Sequence, residues 1–477
     1  MLLLAWFACT DDPGTPSATT DVLVIGGGAA GLSAAWEADA RGKGVLVLER
    51  EASAGGSSQY AERFWAAGTR FQAEAGVIDS VDQALADWAP TTGGDGADPN
   101  VIRFVQDSAA TVHWLVDDLG VPAPTTVEPD LGYPGPPRMH ALSATAAMAA
   151  LTDPLGDRLL TSTEATELVL DADGVVIGAR WHDRTDDTTG WIAAGATVVA
   201  TGGFGRNLAR VLDDRPELEG MALLVEIGPS SIGAGIPLLE GAGMWQNTGN
   251  SGIYVHSVPD PRPENPGEVL WPSGLESTLM IDGDGQRIAN ETAYNTFRLI
   301  DRLAATPSKK IFAFYPITDW HSVRAAAPAY TPTGPTPWTA QELEAARLAR
   351  VYEDADAIAA ALDLPPATLA ATVARYDQAG ITGVDTEFMK DRRFLHPFGS
   401  NAIVVMELHA GSAKSFVGYA VDADGRILGP GGDAVPGVFA AGEVIGMLGS
   451  PGIGSGLSGA ITSCYLTGRA AGAAAAE

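Results

Sequence analysis

Three short glycine runs, spread from Gly26 to Gly442, are the places where this chain can do chemistry. The first is Gly26-x-Gly28-x-x-Gly31, with Ala29 and Ala30 before the last glycine. Between a strand and a helix, Gly26 permits a tight turn and Gly28 lets backbone approach a pyrophosphate. Gly31 then allows close helix–strand contact. The free N–H groups and positive dipole end of a helix starting there suit phosphate. Glu49 ends the next apolar run, where a carboxylate can accept both hydroxyls of a ribose, and Arg50 follows it. The fingerprint implies a dinucleotide without saying which. The other two runs, Thr201-Gly202-Gly203 and Gly442-Glu443, each close a short apolar stretch.

Those runs need particular elements around them. Asp21–Ile25 (DVLVI) reads as a buried parallel strand, the small residues after it as a helix, and Gly44–Leu48 as a second strand ending at Glu49. ATVVA before Thr201 and VFAA before Gly442 can join the same sheet, with their C-terminal ends at the crevice where ligands bind. Residues 80 to 120 carry helical spacing. ELVL and VVIGARW flank Asp173-Gly174, a hairpin signal. From about 210 to 350 the pattern loosens into Pro-rich loops, with His256 in the loop IYVHSVP. A helical pair follows, the second helix opened by Pro365 and Pro366. Strands return after Pro397, and small residues from Gly459 to Ala476 form a last helix. The expected architecture is α/β: a Rossmann-like nucleotide-binding domain with a parallel sheet, interrupted by an inserted α+β cap. Its segments are 1–19 as leader and linker outside the fold, 20–230 and 396–477 as the nucleotide-binding domain, and 231–395 as the cap.

Bulk properties exclude several function classes. With 29 Lys and Arg against 59 Asp and Glu, the net charge is −30, so nucleic acid and anionic membrane surfaces are not expected partners. Cys9 and Cys464 are the two cysteines. They supply no CxxC redox pair and no metal site, and Cys464 reads as buried packing. The apolar start MLLLAWFA before Cys9 and a polar tether resembles a short bacterial lipoprotein signal, with Cys9 as the lipidated residue. A membrane is expected only through that lipid. The location is then the bacterial envelope, and otherwise the cytoplasm.

DVLVIGGGAAGLSAA with Glu49, VVATGGFGRN and PGVFAAGEV together resemble the flavoprotein superfamily of fumarate reductase and succinate dehydrogenase flavoprotein subunits. Soluble fumarate and urocanate reductases and the 3-ketosteroid dehydrogenases also belong to it. The resemblance spans nearly the whole chain from residue 20, including QRIANE and LAATVARYDQA in the cap. It implies FAD as cofactor. Glu49 would hold the adenosine ribose, and Gly56, Ser57 and Ser58 the pyrophosphate or ribityl region. Glu443 would meet the ribityl hydroxyls. Ser458, Gly459, Ala460 and Ile461 would start the last helix beneath the flavin ring.

Catalytic positions of the superfamily are altered here. The proton-donor Arg after Asn290-Glu291 reads Asn295, the substrate His reads Lys414, and the late Arg falls at Ser455 or Gly456. A strict fumarate reductase is therefore not expected. Chemistry on a C–C bond still needs a group to move a proton while the flavin handles hydride. Tyr294 is the first candidate, with Arg298 one helical turn away. Lys414 could bind a carbonyl oxygen, and His256 sits near where relatives hold substrate. The expected reaction is FAD-dependent hydrogen transfer across a carbonyl-activated C–C bond of a small organic substrate, with an unidentified electron donor or acceptor. A ketosteroid-dehydrogenase-like ketone is preferred to an unsaturated acid. The rival readings are an oxidase using oxygen and a non-catalytic flavin-binding surface lipoprotein.

Overall fold

The computed structural model describes residues 14–92, 99–129, 135–246, 252–293, 297–328, 330–331, 334, 336–446 and 456–477. The opening strand Ala18–Ile25 lies in the middle of a largely parallel sheet. On one side it pairs with Val45–Leu48, Ile25 opposite Leu48. On the other it pairs with Thr189–Val199, Ile25 opposite Val199. Ala434–Ala440 joins that neighbour in parallel, with Ala440 opposite Val199. The register therefore brings residues 25, 48, 199 and 440 to one edge. All three glycine runs begin there.

Side-chain alternation along the opening strand divides two cores. Val22 and Val24 face the first helix, Ala29–Ala40, and the last, Gly456–Ala475. Leu23 and Ile25 face Trp65, Trp88 and Phe104. The two helices pack backbone to backbone. A Cβ at Gly468 would sit 2.1 Å from the Ala30 carbonyl oxygen, and one at Gly472 would sit 2.3 Å from that of Ala34. The predicted hairpin is present as Thr163–Leu170 and Val176–Asp183, turning at Asp173-Gly174 with Gly174 at φ +82°.

A second, nine-stranded sheet is built on Ile403–Ser412, which pairs with Leu223–Val225, Ile253–Pro259, Ile311–Pro316 and Ala349–Tyr352. Helices Ala355–Leu362 and Pro366–Thr382 share an apolar core with it. Pro366 occupies the first helical position as expected. The whole is α/β with a second mixed sheet inserted.

Three expectations from sequence are corrected. Residues 14–20 are not a free tether. Ala18, Thr19 and Thr20 extend the opening strand against Ile192, Ala193 and Ala194, while Ser17 bonds Trp191 and Trp181. Polar residues at a strand's start read as linker because backbone pairing leaves no mark on composition. IYVHSVP is strand, not loop; its one proline, Pro259, is the strand's last residue. Finally, the strand after Pro397 belongs to the second sheet, and Leu223–Val225 does too. The chain returns to the first sheet only at Arg426.

Candidate active site

At the C-terminal edge of the first sheet lies an open cleft. Its wall contains Gly26, Gly28, Ala29, Ala30, Glu49, Arg50, Gly56, Ser57, Ser58, Thr201, Gly202, Gly203 and Glu443. Sequence reasoning named all of these. It missed Thr163–Ala165 from the hairpin, Ser230, Ser231, Leu238 and Cys464. The only sequence signal for the serines is the glycine-rich run GPSSIGAG, which marks a turn without saying where it folds.

The glycines act as the fingerprint requires. A Cβ at Gly26 would lie 2.3 Å from the Ala200 carbonyl oxygen, and one at Gly31 would lie 1.9 Å from that of Gly26. At Gly28 the nearest atom to an added Cβ is Ser58 Oγ at 3.8 Å, so backbone there is open to a ligand. Ser58 Oγ also accepts the Ala29 N–H at 3.1 Å, folding the Gly56–Tyr60 turn over the helix N-terminus.

Glu49 is held from two sides: the Gly27 and Glu51 N–H groups each donate to one of its oxygens at 2.7 Å. Burial pushes its carboxyl above the usual range, against the pull of those donors. Second lone pairs on both oxygens remain for hydroxyl donors. At the far end of the cleft the Ser415 N–H donates to Glu443 Oε1 at 2.7 Å. Burial pushes the Glu443 carboxyl up to about 7, opposed by the Ser415 N–H and by the charge of Lys414. Gly203 has no room for a side chain, since a Cβ would lie 2.3 Å from Glu443 Oε1.

Gly442, at φ +78°, turns the chain beside the cleft, with an added Cβ 2.7 Å from that of Ala30. Ala460 packs with Tyr254, Ala413 and Phe416, while Ile461 joins the core beneath the sheet. Ser458 and Gly459 fall in the first turn of the last helix, and their side chains lie outside the described residues. Tyr294 lies outside them too, as does the side chain of Arg298, whose backbone is in the helix Phe297–Ala304. Lys414 is buried at 2% exposure, its ammonium 5.4 Å from the Tyr254 ring centre and 5.6 Å from that of Phe416. His256 stands on the second sheet with Nε2 3.4 Å from Glu226 Oε2. Cys464, read from the sequence as buried packing, is only partly buried and reaches the cleft wall, and desolvation pushes its thiol up to about 12. Cys9 is outside the described residues.

A profile of the FAD binding domain matches residues 21–458. The chain belongs to the FAD binding domain family. The superfamily read from the three motifs is thereby borne out. The flavoprotein is 25% identical to vinyl phenol reductase of Lactiplantibacillus plantarum, over 89% of each chain. It is 26% identical to fumarate reductase (cytochrome) of Shewanella frigidimarina, covering 90% of this chain and 73% of that one. It also shares the fold of a 3-ketosteroid-Δ4-(5α)-dehydrogenase from Rhodococcus jostii, at a TM-score of 0.75 and 20% identity, over 97% of this chain and 98% of that one. The flavoprotein is an FAD-dependent oxidoreductase. Its cleft fits FAD on structural grounds. The glycine cradle leaves space only for backbone, and a carboxylate stands at each end. Two buried wall hydroxyls, Thr201 Oγ1 and Ser231 Oγ, have no hydrogen-bond partner among the described residues. No helix among the described residues is long and apolar enough to cross a membrane.

Proposed function

We propose that the flavoprotein moves hydrogen across a C–C bond activated by a carbonyl group in a small organic substrate. The observation that carries this reading is the chemistry of the junction between the two sheets. There Tyr254, Ala413, Phe416 and Ala460 form an apolar cluster with the buried Lys414 beside it. An aromatic wall with one ammonium suits a ketone better than a dicarboxylate, whose two charges need paired guanidinium or imidazolium donors. The named relatives, a vinyl phenol reductase and a 4-oxocyclohexanecarboxylate 2-dehydrogenase among them, support work on conjugated C–C bonds.

In this reading Glu49 accepts the ribose hydroxyls, while Gly28, Ala29, Arg50, Gly56, Ser57 and Ser58 face the pyrophosphate. Thr201, Gly202, Gly203, Ser231 and Glu443 hold the polyol chain, and the first turn of the last helix from Ser458 lies under the ring. Bound FAD supplies the hydride chemistry. The protein must then exclude water, orient the carbonyl and move one proton. In this reading Lys414 binds the carbonyl oxygen. Tyr294, Arg298 and His256 are the candidate proton carriers. An electron donor or acceptor completes the cycle.

The test is an anaerobic screen of the purified holoprotein with saturated ketones, enones and unsaturated acids, following flavin absorbance. Bleaching by a saturated ketone, or recovery of the reduced flavin with an enone, is the expected result. Response to unsaturated acids alone would reject the ketone reading, and silence toward all three would reject chemistry on C–C bonds.

A further inference from the structure

Among the described residues the exposed large apolar side chains are few, and two of them, Ile78 and Val351, stand alone. The others fall close together, at one corner of the second domain: Ile381 at 73% exposure, Val384 at 60% and Met389 at 82%. Apolar residues scattered singly on a surface need no explanation, but a group does. The loop that carries this group is inside out. It follows the helix Pro366–Thr382, which Gly383 ends at φ +70°. Its charged residues Asp385 and Lys390 are buried. Asp385 Oδ1 accepts the Glu387 and Phe388 N–H groups at 3.0 and 3.2 Å, and its Oδ2 accepts the Lys390 N–H at 3.1 Å. The Asp385 carboxylate also meets Arg287 at 2.9 Å. The Lys390 ammonium donates to the Thr278 carbonyl at 2.6 Å and lies 3.3 Å from Glu291. With these charges held inward, Val384 and Met389 emerge from the two ends that the Asp385–Lys390 bond closes together.

Met389 adds a backbone cost to the exposure. Its φ is +60°, in the left-handed region where glycine is at ease and any other side chain is strained. Neither the stability nor the solubility of a lone chain calls for methionine there. An apolar side chain kept in a strained conformation above a buried ion-pair network marks a surface that is covered in the working protein.

The charges around the group say what covers it. The chain carries −30 overall, yet residues 371–394 hold four cations and four carboxylates. This corner is neutral on a molecule that repels anionic lipid, and a basic partner would be drawn to the acidic remainder instead. Two molecules at −30 approach most easily where their surfaces are neutral. The rim also presents both signs. Glu387 and Asp391 offer exposed carboxylates. Arg392, whose Cβ lies beside Gly383, is exposed and in no ion pair among the described residues. Across a two-fold axis every contact is made twice. Arg392 of one copy can then meet Glu387 of the other while the apolar group packs against itself. We propose that Ile381, Val384 and Met389 form the self-complementary contact of a homodimer. Three side chains with a charged rim make a small interface, below about 1,200 Å², so the dimer is weak and reversible. None of these residues belongs to the cleft wall, and flavin content should not depend on association.

The test is sedimentation velocity of the holoprotein over a range of concentrations up to about 200 µM, in low salt and in about 0.5 M salt. A monomer–dimer equilibrium with a Kd on the order of tens of micromolar is expected. It should tighten with salt, because screening removes the repulsion between the two net charges. Met389→Gly keeps the backbone, since glycine is at ease at φ +60°. It should weaken association by about tenfold or more, as two methionine side chains leave the contact. Val384→Lys sets like charges across the axis and should leave a monomer. Both variants should keep the parent's flavin content and circular dichroism. A parent that stays monomeric at the highest concentration in high salt would overturn the proposal, as would a Met389→Gly variant that dimerises like the parent. Met389-dependent cosedimentation of a monomeric protein with vesicles of phosphatidylcholine and phosphatidylglycerol would also overturn it, giving the corner to a lipid surface.

Discussion

Glu443→Gln should make the cofactor-free protein more stable in base and leave it little changed in acid. Burial raises the Glu443 carboxyl from its ordinary 4.5 to about 7. At about 1.4 kcal/mol per unit of pKa, the ionised carboxylate is therefore roughly 3 kcal/mol less favourable in the fold than in the unfolded chain. The sign follows from proton counting. The folded state binds the extra proton, so this contribution to stability is fully present below about pH 4.5 and is lost as pH rises through about 7. Glutamine keeps an oxygen for the Ser415 N–H and cannot ionise. Between pH 5.5 and 8 the stability difference between Glu443→Gln and the parent should widen by about 2 kcal/mol in favour of the variant. Urea unfolding of both apoproteins at the two pH values measures it, and FAD affinity should fall in the same variant. Lys414→Met should enlarge the effect, since the Lys414 charge works to keep Glu443 ionised. A difference that stays constant with pH would refute the reasoning.

Other outcomes follow from the same geometry. Gly203→Ala should yield a folded but colourless protein, because its methyl meets Glu443 Oε1 at 2.3 Å; flavin content after purification is the check. Glu291→Ala should destabilise the fold by about 3–5 kcal/mol, the usual cost of breaking a buried ion pair. It would take from Arg287, 2.8 Å from Glu291, one of its two carboxylates, leaving Asp385, and from Lys390, 3.3 Å away, its paired carboxylate, and denaturant titration measures the loss. Cys464, its thiol held near 12 by burial, should stay unmodified by iodoacetamide at pH 8 in the native protein and react after unfolding, as read by peptide mass. Tyr294→Phe should retain flavin and lower turnover by about a hundredfold if Tyr294 moves the proton, and a rate near that of the parent would remove it from that role.

The cofactor half of the site was legible because dinucleotide binding constrains backbone, and backbone constraints are written as glycines. Gly26, Gly31, Gly203 and Gly442 each sit where a methyl group would meet another atom within 3 Å. The substrate half was not legible for a different reason. Its sheet is made of short strands joined by proline-bearing connections, and its long member, Ile403–Ser412, comes from far along the chain. Glu226 shows the limit best. It follows an ordinary three-residue strand, and nothing in LLVEIG announces a partner thirty residues away. Only the register shift between Val255 and Ser257 and the missing side chain of Gly411 bring Glu226 and His256 together. Glu291 was read as a family mark in the cap. The structure gives it a mechanical task, accepting the Met280 N–H and two hydrogen bonds from Arg287 in a buried network.

The strand Ile403–Ser412 ties the two sheets into one mechanical linkage. It is gripped along its length by the second sheet, and within three residues of its end Ser415 donates its N–H to Glu443 and accepts the Phe204 N–H at its hydroxyl oxygen. A swing of the substrate domain away from the nucleotide domain would tug on both contacts before it freed any other part of the cleft. Whatever displaces the second sheet would thereby be felt at Glu443 on the cleft wall, and slow amide exchange at Ser415 is the quantity that would register it.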